Sequence, residues 1–131
     1  MNISNQKGEI GEAAFTLDCA KRGYYVGKMP QDCPYDFALD RGKGLERCQV
    51  KYRSVGKHGT VTIRKEQDTF TNRRTYSKEN IDVFAIYVPD NETIYLIPVE
   101  DVDKAEVHFR LEPPKNNQTK GVRLLEAYAS W

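Results

Sequence analysis

The chain is poor in cysteine and histidine, and it has no long apolar run. Its three cysteines, Cys19, Cys33 and Cys48, stand at wide spacings in 131 residues. An odd number with no CxxC pair gives neither a disulfide framework nor a zinc-ligand pair. His58 and His108 are isolated, so a zinc site is not expected. Each cysteine reads instead as a small buried apolar residue. No stretch approaches the roughly 20 apolar residues needed to cross a bilayer. The opening Met1-Asn2-Ile3-Ser4-Asn5-Gln6-Lys7 carries no signal-peptide core. No internal repeat, low-complexity tract or linker is present. The expectation is a cytoplasmic protein folded as a single domain over residues 1–131, with one hydrophobic core, no membrane partner and no small-molecule cofactor.

What is present is charge, unevenly placed. The net charge is only +1. Between Arg41 and Glu79, however, eleven Lys and Arg stand against four Asp and Glu, while the segment from Ile81 to Glu106 is acidic. Such asymmetry suits a basic face for phosphates.

Hydrophobic periodicity predicts a helix from about Gln6 to Arg22. On its wheel Ile10, Ala13, Ala14, Leu17 and Ala20 share the arc expected to face the core. Lys7, Asp18, Lys21 and Arg22 lie opposite, and Gly23 is the C-cap. Strands are expected at Tyr24 to Lys28, Tyr35 to Leu39 and Leu45 to Tyr52, the last two joined by the turn Asp40-Arg41-Gly42-Lys43-Gly44. The polar stretch from Ser54 to Asn80 offers one short strand, Thr60 to Ile63. Val83 to Val88 and Thr93 to Ile97 follow, around the turn Pro89-Asp90-Asn91-Glu92. Val107 to Leu111 is a further strand candidate, and Val122 to Ala129 a closing helix. The order predicts an α/β or α+β domain with a mixed sheet.

The segment from Arg47 to Arg53 alternates strictly. Cys48, Val50 and Tyr52 can face the core, which sets Arg47, Gln49, Lys51 and Arg53 on the other side. Across the hairpin, Asp36 follows Pro34-Tyr35. A carboxylate, an amide oxygen and an ammonium thereby converge at one end of a sheet. Mg²⁺ takes hard oxygen ligands, usually one or two carboxylates with waters and phosphate oxygens. Asp36, the Gln49 amide oxygen and the Val50 carbonyl are candidate ligands, with Lys51 beside an attacking water. On the helix, Glu12 falls on the inward half, near Phe15 and Cys19, where a carboxylate needs a metal or a cation as partner. Glu9, one turn earlier, is the second candidate acid. Glu46 points to the wrong face of its strand to serve.

The ordered set, Lys7-Gly8-Glu9 with Glu12 on an early helix, then Pro34-x-Asp36, then Gln49-Val50-Lys51-x-Arg53, resembles the PD-(D/E)XK nuclease superfamily over about Gln6 to Arg53. Within it the set is most similar to the small homing endonucleases of bacterial group I introns, which use Gln where the motif has a second acid. It is also similar to archaeal-type Holliday-junction resolvases. The resemblance implies a restriction-endonuclease-like core, a mixed central sheet flanked by helices. It implies an Mg²⁺-dependent endodeoxyribonuclease with Glu12, Asp36, Gln49 and Lys51 as the catalytic set and Glu12, Asp36, Gln49 and Val50 around the metal. Gln49 in place of the second acid removes one negative charge from that site.

Three readings follow: a site-specific endonuclease of double-stranded DNA in a homing or restriction role, a junction resolvase reading branched DNA, and a non-catalytic DNA-binding relative. The first is taken as the main reading; Lys51 and Asp36 argue against the third, because pure binding has no use for a metal cluster, and cleavage of linear against four-way substrates separates the first two. Arg53, Lys57, Arg64, Lys65, Arg73 and Arg74 are the candidate DNA contacts. Two strands need two sites, so a homodimer or a dimer of dimers is expected. Val122, Leu124, Leu125, Tyr128 and Trp131 are candidates either for the subunit contact or for closing their own core.

Overall fold

The computed structural model describes residues 2–68, 73–116 and 121–131, with the side chains of 66–68, 73 and 74 outside that description. The first element is α1, Ile3–Arg22. It starts earlier than its periodicity suggests because Asn2, in extended conformation, accepts a hydrogen bond from the Asn5 N–H at 2.9 Å and so caps the first turn. It ends at Gly23, whose φ of +79° lies where glycine is favoured. There the Gly23 N–H donates to the Ala20 carbonyl and the Tyr24 N–H to that of Cys19.

The buried face of α1 is not the predicted one. Gly11, Phe15 and Cys19 face the sheet, while Ile10 and Leu17 are exposed on the opposite side. The reason is close approach. At Gly11 the helix lies against Val50 and Tyr52, where an added Cβ would make ordinary contact with both side chains at 3.6 Å, leaving little room for anything longer. Phe15 then fills the space over Phe37 and Trp131, with ring centroids 5.3 and 6.0 Å away. Arg22, expected in solvent, is half-buried. It pairs with Asp18, lies over the Trp131 ring and donates to the carbonyls of Trp131 and Ala129.

The central sheet has five strands in the order β1-β2-β3-β7-β8. These are β1 Tyr25–Lys28, β2 Phe37–Asp40, β3 Leu45–Tyr52, β7 Val83–Val88 and β8 Thr93–Pro98. All neighbours are antiparallel except β3 and β7, which run parallel. A parallel pair needs a long crossover, and the segment between them supplies it. That crossover carries β4 (Thr60–Arg64), the expected strand, and a hairpin of β5 (Glu66–Asp68) and β6 (Arg73–Thr75), which was not expected. Central β7 is buried at every position, as a strand covered on both faces should be.

One face of the sheet is covered by α1. The other is covered not by a helix but by a two-stranded sheet of β4 and β9 (Glu106–Arg110), with Tyr76 and Leu125 beneath it. The architecture is thus α+β with a mixed sheet. The closing helix expected from Val122 to Ala129 is a single 3-10 turn, Leu125–Tyr128, and its residues are taken up by their own subunit. Leu125 is fully buried, and Tyr128 packs edge-on against Phe109 and donates to Asp101. The Trp131 indole N–H donates to the Ile94 carbonyl. Leu125, Tyr128 and Trp131 therefore close the core rather than wait for a second subunit.

Candidate active site

The site forms where β2 leaves β3. Their last paired residues are Phe37 and Cys48, and beyond them β3 runs on from Gln49 to Tyr52 with only β7 alongside. Asp36 sits in the vacated position. Its N–H donates to the Cys48 carbonyl at 3.0 Å, and its Oδ2 accepts the Val50 N–H at 3.0 Å. The N–H and C=O of one strand residue point to the same side, so the Val50 carbonyl is directed toward Asp36 as well. The neighbouring odd positions bond to the β7 side instead, through the Arg47 carbonyl and the Arg53 N–H. The predicted alternation of β3 holds: Cys48, Val50 and Tyr52 turn toward α1, and Gln49 and Lys51 turn away.

A cleft opens on the Asp36 side, lined by Gly8, Glu9 and Glu12 of α1, Lys28 of β1, and Asp36. Glu12 is half-buried at the edge of the sheet-facing side of α1, and its cation is Lys28, with Nζ 3.1 Å from Oε1. Sequence reasoning required such a partner but did not name it. The signal was available in the strand alternation, which places Lys28 with Val26 on the α1 side. Burial pushes the Asp36 carboxyl above its ordinary range, the Val50 N–H opposes that shift, and Glu12 adds to it. The ion pair with Glu12 raises Lys28.

Gln49 and Lys51 are only 8% and 7% exposed on the face opposite Cys48, Val50 and Tyr52. The Lys51 ammonium stands 5.3 Å from the Tyr76 ring centre and 5.6 Å from that of Phe84. Among the described residues neither side chain has a hydrogen-bond or ion-pair partner within the chain. Burial is the main cause that lowers the Lys51 pKa to about 8. Arg53 lowers it further, and Asp36 works in the opposite direction. An ammonium largely withdrawn from water beside two aromatic rings is stabilised further by an arriving anion.

Gln49, Val50, Lys51, Arg53 and Arg64 line a second depression with Ser4, Lys7 and Gly8. The first turns of α1 form the ridge between it and the acidic cleft, since Ser4 and Gly8 border both. Arg53 is half-buried and Arg64 exposed, the latter 3.1 Å from Glu106. Lys57 is exposed in the turn before β4, and Lys65 is half-buried. Arg73 and Arg74 lie on β6, but their side chains fall outside the described residues. Two other cations of the basic stretch are withdrawn from any phosphate face: Arg41 pairs with Glu46 and Arg47 with Asp82.

The oxygens of this site fit a hard divalent cation. Among the described residues no three His, Cys, Asp or Glu side chains gather as a metal cluster, so a metal here would need neutral oxygens beside Asp36 and Glu12. The Val50 carbonyl, on the Asp36 edge of β3, is the one at hand; Gln49 lies across the α1 ridge in the second depression and would have to reach over to join it. That the Glu12 carboxylate already draws in an ammonium shows its need for a cation. Lys28 and a metal would then compete for Glu12. Replacing Lys28 by Gln should raise affinity for Ca²⁺ or Mg²⁺ several-fold in calorimetric titration. Unchanged or weaker binding would mean that Lys28 does not contest the metal position.

The fold has a solved counterpart in the bacterial homing endonuclease I-Ssp6803I. The match has a TM-score of 0.75 at 22% identity, covering 92% of this chain and 86% of that one. Among curated proteins no sequence relative matches. A family model described as PD-(D/E)XK endonuclease matches residues 2–131, which takes in α1, the β2–β3 divergence and the whole sheet around them, and on that match the chain belongs to the PD-(D/E)XK endonuclease family.

Proposed function

We propose that this endonuclease is Mg²⁺-dependent and cuts double-stranded DNA at specific sites, in a homing or restriction role, as a homodimer or a dimer of dimers. The observation that carries the reading is the buried, unpaired Lys51 beside Gln49 and the Asp36 carboxylate. A scissile phosphate is an anion of the right size to satisfy it. The likeness to a homing endonuclease supports the substrate class.

Asp36, Glu12, the Gln49 amide and the Val50 carbonyl would hold the metal. Bound there, Mg²⁺ would supply an acidified water and charge neutralisation on the phosphate. Lys51 steadies the charge that builds on the phosphoryl oxygens, an attraction strengthened by its partial withdrawal from water. Arg53 and Arg64, on the same wall, are placed for the flanking phosphates. A purely DNA-binding relative would have no reason to keep a desolvated ammonium next to a raised carboxyl.

The test is cleavage of a random-sequence duplex library with Mg²⁺, followed by sequencing of the ends. Recurrent sequences at the cut ends are expected. Cleavage confined to four-way junctions would favour a resolvase, and no cleavage with any divalent cation would overturn the proposal.

Gln49 permits a finer check. Gln49→Glu restores the second acid of the family motif, so calorimetry should show equal or tighter binding of Mg²⁺ or Ca²⁺. A marked loss of metal affinity would give Gln49 some other part.

A further inference from the structure

The apolar residues that α1 turns away from the sheet are not scattered. Ile3, Ile10 and Leu17 are 69%, 49% and 57% exposed and recur every seven residues along one line. Gln6, Ala13 and Ala20 alternate with them, three positions on from each. That is the seam of a helix that packs lengthwise against another helix. The buried face of α1 is elsewhere, and Ala13, Leu17 and Ala20 of the seam border an open groove that reaches Val26 and Phe37. We propose that this seam is the contact between two copies of the chain, with α1 packed antiparallel on α1 of the partner about a two-fold axis. The inference rests on the two-fold assembly proposed above and names its surface.

Three features point to a second copy as the occupant. First, the seam calls for a partner helix of similar length, and the one α-helix among the described residues is α1 itself. At 1.5 Å per residue it offers about 30 Å of contact. Second, large residues occupy one set of seam positions, and Ala13 and Ala20 fall in the other set. In an antiparallel pair the two sets face each other, so Ile3 meets Ala20, Ile10 meets Ala13 and Leu17 meets Gln6. Large opposite small lets the helices interdigitate. A parallel pair would set Ile10 on Ile10 and Ala13 on Ala13, which packs unevenly. Third, the charges beside the seam are compatible with self-pairing. In the antiparallel register Lys7 lies near Ala14 of the partner, and Glu9 near Thr16 of the partner, so no like charges are opposed. One helix pair is small against the roughly 800 Å² per partner of a standard interface, so association in the micromolar range is expected for the free protein.

Sedimentation velocity over a micromolar concentration series tests this. The wild-type chain should pass from monomer to dimer. Ile10→Lys/Leu17→Lys should remain monomeric throughout, with unchanged far-UV dichroism, because both side chains are exposed in the single subunit. A wild-type chain that never associates, alone or on DNA, would overturn both the two-fold reading and the seam. A double variant that associates like wild type would overturn the seam alone. Cross-linking provides a second measurement that does not depend on the lysine variants. In a Cys33→Ser background, an oxidised equimolar mixture of Ile10→Cys and Ala13→Cys chains should yield the mixed dimer in excess of either like pair. An excess of like pairs would overturn the antiparallel register.

Discussion

Asp36→Asn should lower cleavage by about 100-fold or more, since even outer-shell partners of a metal site are worth about 10- to 100-fold and Asp36 is placed as a direct ligand. The fold should not suffer. An Asn oxygen can still accept the Val50 N–H that Oδ2 accepts now, and the shape is conserved. Stability should move the other way. Burial raises the Asp36 pKa, so the folded state binds its proton more tightly than the unfolded chain does. The ionised carboxylate is therefore a burden on the free protein at neutral pH. As pH falls through the folded pKa toward the unfolded one, wild type gains stability relative to the variant. The Asn protein should accordingly melt at or above wild type in the absence of metal at neutral pH, with the gap closing in acid. Added Mg²⁺ should raise the wild-type melting temperature by mass action and leave the variant where it was. A variant that still cuts at the wild-type rate would remove Asp36 from the site. One that melts far below wild type without metal would make its role structural.

Strand β3 was legible to the residue because strict alternation of small or apolar with polar side chains has one reading on a sheet with two unlike faces. Strand β7 was legible because a six-residue apolar run between turn signals suits a strand covered on both sides. The placement of Asp36, Gln49 and Lys51 was legible for the same reason. Once β3 is placed, the hairpin brings Asp36 to its edge, and the alternation sets Gln49 and Lys51 together. What the sequence did not disclose was which side of α1 meets the sheet. Counting apolar residues favours Ile10 and Leu17, but the side that meets the sheet carries Gly11, whose small size lets the helix approach Val50 and Tyr52. The miscount is informative, because it leaves the side of α1 richest in aliphatic residues exposed. Two other features were hidden by length. The β5–β6 hairpin is made of three-residue strands in polar sequence, too short to show a period. The C-terminal segment resembled a helix because Leu125 and Tyr128 are three apart, a spacing that one 3-10 turn satisfies equally well. Lys28 was missed because a lysine at the end of an edge strand is ordinarily a solvated charge. Its side chain is indeed largely exposed, and only its position across from Glu12 gives it a partner.

Lys51→Met should abolish cleavage and, at the same time, make the free protein more stable. The wild-type ammonium is buried among Tyr76, Phe84 and the body of the sheet with no anion in hydrogen-bond contact. Its pKa is lowered to about 8. Against the ordinary lysine value of about 10.4, and at 1.36 kcal/mol for each pKa unit, that amounts to about 3 kcal/mol of destabilisation when the side chain is charged. Methionine has nearly the same length and no charge to desolvate, and it adapts to irregular space beside aromatic rings. The sign with pH follows from proton binding. Between about pH 8 and the unfolded value the folded protein has released the Lys51 proton while the unfolded chain still holds it. Wild-type stability therefore rises with pH across that window. The advantage of the Met variant should be largest at neutral pH and largely gone above the unfolded pKa. Urea unfolding of both proteins at pH 7 and again near pH 10, without metal, measures this directly. A Met variant that is less stable than wild type at pH 7 would mean that Lys51 is already paired in the free enzyme, and the case for an arriving phosphate would fail with it. The expected result is a residue that weakens the fold at the position where it serves the reaction, because the anion that would relieve it belongs to the DNA.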